Sequence, residues 1–249
     1  MNKLSQITIA FWIMKICATT LGETAGDLLS MTLNVGYIFS SVILLVFFFV
    51  TLSIQLLSKE FNPIKYWAVI LATSTAGTTI SDFLDRSLGL GYALGSIILL
   101  SLLLLTLLFW YLSEKSLSVT SIKSLKGEVF YWIAILFSNT LGTALGDFLA
   151  DDSGLGFFGG ALLIASLLLL IVLCSYYTKI SKIVLFWIAF ILTRPFGATF
   201  GDLLTKSSEK GGLNLGTIGS SLVLFLILVF LIFKANNKNK IDKEVSNSI

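Results

Sequence analysis

The chain predicts an all-α membrane protein with eight transmembrane helices. They are laid out as four parallel two-helix repeats with pseudo-four-fold or pseudo-two-fold symmetry, the odd-numbered helices inside. Three observations predict it. Of 249 residues, 56% are hydrophobic and only 12% charged; with a mean hydropathy of +0.93 this lies far outside the range of soluble domains. Apolar stretches long enough to cross ~30 Å of hydrocarbon recur along the whole chain. One tryptophan-to-aspartate pattern recurs four times.

Helix one, residues 7–30, follows Lys3 as a signal peptide would, but Lys15 interrupts the apolar run and no small-residue cleavage site follows. The next spans are 34–57, 64–84 and 88–112, which complete a first half, residues 1–112. A polar cytoplasmic linker, residues 113–127 ("SEKSLSVTSIKSLKG"), leads to spans 128–150, 154–178, 183–205 and 213–233 of a second half, residues 128–236. The polar end, residues 237–249, is expected to be a disordered cytoplasmic tail. Lys3, Lys59, Lys65, Lys115, Lys123, Lys126, Lys179, Lys182, Lys234, Lys238, Lys240 and Lys243 fall on the side of the termini; Arg86, Lys206 and Lys210 fall opposite. That bias puts both termini in the cytoplasm. Cys17 and Cys174 have no paired spacing and the chain has no His, so neither a disulfide framework nor a zinc site is readable.

Aligning Trp12, Trp67, Trp132 and Trp187 folds the chain onto itself. Ten residues on stand Gly22, Gly77, Gly142 and Gly197; fourteen on, Gly26, Ser81, Gly146 and Gly201; fifteen on, Asp27, Asp82, Asp147 and Asp202. The tryptophans are expected at the cytoplasmic interface, and fifteen residues at ~1.5 Å each carry the aspartates ~22 Å further, to one depth near the outward mouth. The small pairs form a ridge that lets helix backbones approach closely. Beside it, at steps of four, run Thr19/Glu23/Asp27, Ser74/Thr78/Asp82, Asn139/Thr143/Asp147 and Arg194/Ala198/Asp202. The even helices begin with small residues ("VGYIFSS", "LGYALGS", "LGFFGGA", "LGTIGSS") and continue as solid Leu, Ile, Val and Phe, which suits a lipid-facing position.

Charges inside a bilayer cost ~2.5–3.5 kcal/mol each at its centre on insertion scales, so they need partners, protons, water or an ion. Glu23 and the four aspartates face only Lys15 and Arg194 within the spans, which draws protons or metal ions there. Carboxylate and hydroxyl oxygens suit hard cations such as magnesium or manganese. The departures from four-fold repetition are Lys15 and Glu23 in the first unit and Arg194-Pro195 in the fourth. An asymmetric site between helices one and seven is expected, with Glu23 and Arg194 as partners. Lys15 can either snorkel to the surface or stay buried. Pro195 removes an amide donor and opposes the carbonyl of Ile191, so helix seven should break there and supply a hinge.

The four segments "FWIMKICATTLGETAGDLLS", "YWAVILATSTAGTTISDFLD", "YWIAILFSNTLGTALGDFLA" and "FWIAFILTRPFGATFGDLLT", each followed by a second hydrophobic helix, resemble a family of bacterial membrane proteins. It is catalogued as uncharacterised membrane-anchored proteins and defined by a repeated unit of unknown function. The resemblance implies an eight-helix protein of the bacterial inner membrane and brings no assigned substrate or catalytic residue. The Gly-Asp pairs also look like those of bacterial cation exporters, but Leu28, Phe83, Phe148 and Leu203 stand where those carry a basic residue.

The functional expectation is a transporter or channel for a small polar solute, a divalent or proton-coupled cation first. The residues expected to hold it are Thr19, Glu23, Asp27, Asp82, Asn139, Asp147, Arg194, Asp202 and Lys15, with the four aspartates as candidate metal ligands. The alternative is a structural, sensory or assembly subunit whose polar ridges serve helix packing. No enzymatic role is expected: the Gly-x-Gly-Asp form associated with intramembrane aspartyl proteases is absent. The expected partners are the lipid bilayer and a small ion or solute, with no nucleic acid and no cofactor; an oligomer stays open.

Overall fold

The computed structural model describes residues 4–122 and 124–247; Lys3 and Lys123 lie outside the described residues. Eight helices follow one another: α1 (Ile9–Asp27), α2 (Tyr37–Leu56), α3 (Pro63–Asp82), α4 (Gly91–Glu114), α5 (Leu125–Asp147), α6 (Gly156–Tyr177), α7 (Lys182–Thr205) and α8 (Thr217–Asn247). Local chemistry sets several starts. The side chains of Thr8, Asn62 and Ser124 accept from the amides of Phe11, Lys65 and Gly127 at 3.3, 3.2 and 2.9 Å, satisfying donors that a helix start leaves free; Pro63 opens α3 where its missing amide costs nothing. Beyond their aspartates, α1, α3 and α5 continue as single π-helical turns, Leu28–Thr32, Phe83–Ser87 and Phe148–Asp152. Gly36, at φ 78°, then permits the reversal into α2.

The odd helices close a ring in the order α1, α3, α5, α7 and back to α1, while α2 packs on α3, α4 on α5, α6 on α7 and α8 on α1. Each outer helix therefore covers the inner helix of the next repeat. The glycine ridges hold the ring together, each against the polar ridge of its neighbour. A β-carbon added at Gly26 would lie 2.8 Å from Thr78 Cβ, at Gly77 3.0 Å from the carbonyl carbon of Asn139, at Gly146 2.7 Å from Ala198 Cβ, and at Gly197 2.6 Å from Thr19 Oγ1. Such approach needs residues without side chains.

Outside the ring, Phe39, Val46, Leu104, Leu169, Leu222 and Phe230 expose apolar surface. The apolar stretches of α2, α6 and α8 are 22%, 22% and 17% buried, against 67% for that of α5 and 56% for that of α7, so the outer layer is the greasy one. Among the described residues six helices, α2 and α4 to α8, are long and apolar enough to cross a membrane. α1 and α3 fall short because their polar ridges dilute their hydropathy, and both are covered by neighbours on the ring.

Three expectations change. Trp67 and Trp132 are 1% and 0% exposed and Trp187 is also buried, so these rings face inward instead of forming an interfacial belt. They fill the ring's far end, where no glycine ridge draws the backbones together: Trp67 meets Phe11 at 5.6 Å, Trp132 meets Tyr66 at 5.5 Å, and Trp110 meets Trp187 at 5.7 Å between centroids. α7 stays helical on both sides of Pro195 and does not end there; the proline packs into the ring, its Cδ 2.9 Å from where a β-carbon on Gly142 would stand. Residues 237–247, expected to be disordered, continue α8 as helix to Asn247; no Gly or Pro stops the helix there.

Candidate functional site

Arg194 is the hub of the ring. Its side chain is fully buried and donates to every other inner helix. Nη1 reaches the carbonyl of Thr19 at 2.9 Å and Nε that of Asn139 at 3.2 Å. Nη2 reaches the carbonyl of Ser74 at 3.3 Å, Thr143 Oγ1 at 2.7 Å and the hydroxyl of Thr78. The same Nη2 lies 3.0 Å from Glu23 Oε2, so the structure pairs two of the residues in which the repeats depart from one another. Room for the arginine stem comes from Gly142, where a β-carbon would collide with Arg194 Cβ and Cγ. The Thr78 and Thr143 hydroxyls flank the same Glu23 oxygen at 3.3 and 3.5 Å.

One layer toward the tryptophans, Lys15 is also fully buried and does not snorkel. Its Nζ donates to Asn139 Oδ1 at 3.2 Å and stands 4.0 Å from the centroid of Phe190. Asn139 in turn donates to Thr73 Oγ1 at 2.9 Å and Ser74 Oγ at 3.3 Å. Thr19 turns its hydroxyl to carbonyls, those of Lys15 and Ile16 at 3.0 Å and Thr193 at 3.1 Å; its own carbonyl, not its hydroxyl, meets Arg194.

At the opposite end of the ring the four aspartates are buried and ion-paired. Arg86 Nε is 3.0 Å from Asp82 and Arg86 Nη2 is 3.2 Å from Asp147; Lys206 Nζ is 2.5 Å from Asp27 and 3.1 Å from Asp202. Sequence reading placed Arg86 and Lys206 among loop charges and missed them. The available signal was spacing, since each stands four residues after an aspartate and shares its helix face. Their inclusion corrects the charge balance: five acids face four cations, not two. Carboxylate oxygens of Glu23, Asp147 and Asp202 lie within 4.8 Å of one another. This group takes two members of the expected aspartate ring and adds Glu23; Asp27 and Asp82 stand outside it. Three buried carboxylates so close favour a shared positive charge, whether proton, side chain or ion.

A closed ring of four copied helices, polar within and jacketed by apolar helices, defines a membrane protein built from a repeated two-helix unit. The chain belongs to the family of the Repeat of Unknown Function (DUF347), whose model matches residues 10–61, 65–116, 130–181 and 185–235. No curated protein and no solved structure matches it.

Proposed function

We propose that the protein is an integral membrane transporter or channel for a small cation, a divalent metal or a proton-coupled ion, handled by carboxylates of the four repeated helices. The observation that carries this reading is the buried Glu23–Asp147–Asp202 group, with oxygens within 4.8 Å of one another, carboxylate ligands of the kind hard cations take. The reading includes eight spans with pseudo-four-fold symmetry, α1 and α3 crossing the bilayer inside their jacket. The lysine bias supports cytoplasmic termini, with the aspartates toward the outer face, and the family resemblance suggests the bacterial inner membrane. The partners are lipid and the transported ion, and no catalytic step is involved. Arg194, bonded to three neighbouring helices, fills the axis, so passage needs that network to rearrange.

A specific observation favours the second reading, a structural, sensory or assembly subunit: all four aspartates are engaged by Arg86 or Lys206. Thermal unfolding of the purified protein against divalent cations, monovalent cations, anions and pH, alongside Asp147→Asn, separates the two. An ion at 100 times its Kd adds ~2.7 kcal/mol. Selective stabilisation by one cation, lost in the variant and matched by its flux into proteoliposomes, is expected. A variant that is less stable and a native chain indifferent to every ion would support the packing role.

A further inference from the structure

Arg86 and Lys206 occupy equivalent places in the two halves of the chain, each four residues after the repeat's aspartate. The other two repeats carry Met31 and Asp151 there. Each basic side chain joins one aspartate of its own half to one of the other half. Arg86, following α3, holds Asp82 and reaches Asp147 on α5; Lys206, ending α7, holds Asp202 and reaches Asp27 on α1. The halves thus exchange one arm in each direction. Among the described residues no basic side chain bridges Asp27 to Asp82 or Asp147 to Asp202, the pairs within a half.

The cations are more accessible than the carboxylates they hold. The Arg86 and Lys206 side chains are 32% and 20% exposed, their carboxylate partners 2–5%. An ion arriving from this end meets the two basic groups first and needs the same oxygens. Neighbouring side chains flank both arms: Arg86 Cζ lies 5.7 Å from the ring centroid of Tyr92, whose hydroxyl donates to Asp151 at 3.2 Å, and Lys206 Nζ lies 3.9 Å from Met31 Sδ.

We propose that Arg86 and Lys206 are reciprocal latches between the two halves, and that an entering cation competes with them for the aspartates, so that cation occupancy and release of the halves are one event. This rests on the cation-handling reading and supplies its specificity device: the site is filled by tethered cations until a free one displaces them. An untethered ion must overcome the high effective concentration of a side chain already in place.

The test uses the full chain in nanodiscs with Na+, Mg2+ and Mn2+ as probes, and two readouts. Calorimetric titration gives cation affinity. Pulsed dipolar spectroscopy on spin labels at Leu88→Cys and Ser153→Cys, with Cys17→Ser and Cys174→Ser, gives the distance between halves at the latched end. Lys206→Gln and Arg86→Gln are each expected to raise affinity for one probe at least about tenfold, as loss of a nearby unit charge implies, and to lengthen the distance; saturating cation does the same to the native chain. Lys206→Arg keeps native affinity and distance, and a Lys206→Arg protein that matches Lys206→Gln overturns the proposal. A native chain that binds a cation while the distance stays constant in every variant removes the latches and leaves the cation reading intact. A native chain that binds no probe, while Arg86→Gln/Lys206→Gln still separates the halves, removes the cation reading and the competition but leaves the latches.

Discussion

At the scale of the residue, the energetics concentrate on Arg194 and Glu23. A buried ion pair is a weak net stabiliser, yet removing one partner strands the other in low dielectric at a cost of about 3–5 kcal/mol. Arg194→Met should therefore destabilise the purified protein by about that amount, because buried Glu23 loses the guanidinium it is paired with. Arg194→Met/Glu23→Gln should recover a large part, since the neutral amide no longer needs a counter-charge. A double-mutant cycle in detergent unfolding reads the coupling, and strictly additive losses would show that the pair is incidental. This pair was legible because both residues break an otherwise repeated pattern. Arg86 and Lys206 offered only their four-residue spacing after an aspartate, a signal easily overlooked because a basic residue just past an apolar run reads as a solvated loop charge.

At the scale of the element, the small-xxx-small ridges do the assembling. Apolar burial distinguishes little between helices already in lipid, so close backbone approach and interhelical polar contacts decide the packing. Gly146→Val is expected to cost at least about 1–3 kcal/mol through overpacking, since even a β-carbon would stand 2.7 Å from Ala198 Cβ. Gly219→Ala, on α8 with nothing within 4 Å of the added carbon, should be neutral or stabilising by about 0.5–1 kcal/mol from helix propensity. Thermal unfolding of the two variants side by side checks this, and equal losses would remove the ridge from the account. The repeats made the ridges readable; which neighbour each ridge meets was not, because a ring can close in either hand.

For the whole molecule, the outer helices α2, α4, α6 and α8 turn apolar surface outward while the ring keeps its polar groups inside, the arrangement a bilayer demands. With the lysine bias, this predicts the sidedness of the chain. A cytoplasm-active reporter fused after Ile249 should be functional, whereas the same reporter inserted at Glu209, in the connection between α7 and α8, should be silent and an export-dependent reporter active there. The reverse pattern would invert the proposed topology and put the latched aspartates on the cytoplasmic side.

The sequence by itself determined the class, the repeat and the identity of the polar residues, because hydropathy and spacing are properties of the chain: a Trp, two small residues and an Asp at constant intervals survive any folding. Tertiary structure alone decided how the charges balance and which residues meet. Glu23 joined Asp147 and Asp202 from two other helices, Lys15 took Asn139 and Phe190 instead of solvent, and Trp67, Trp132 and Trp187 turned inward. Those outcomes depend on the order and rotation of helices around the ring, which spacing along one helix leaves undetermined, since each helix presents the same ridges whichever neighbour receives them.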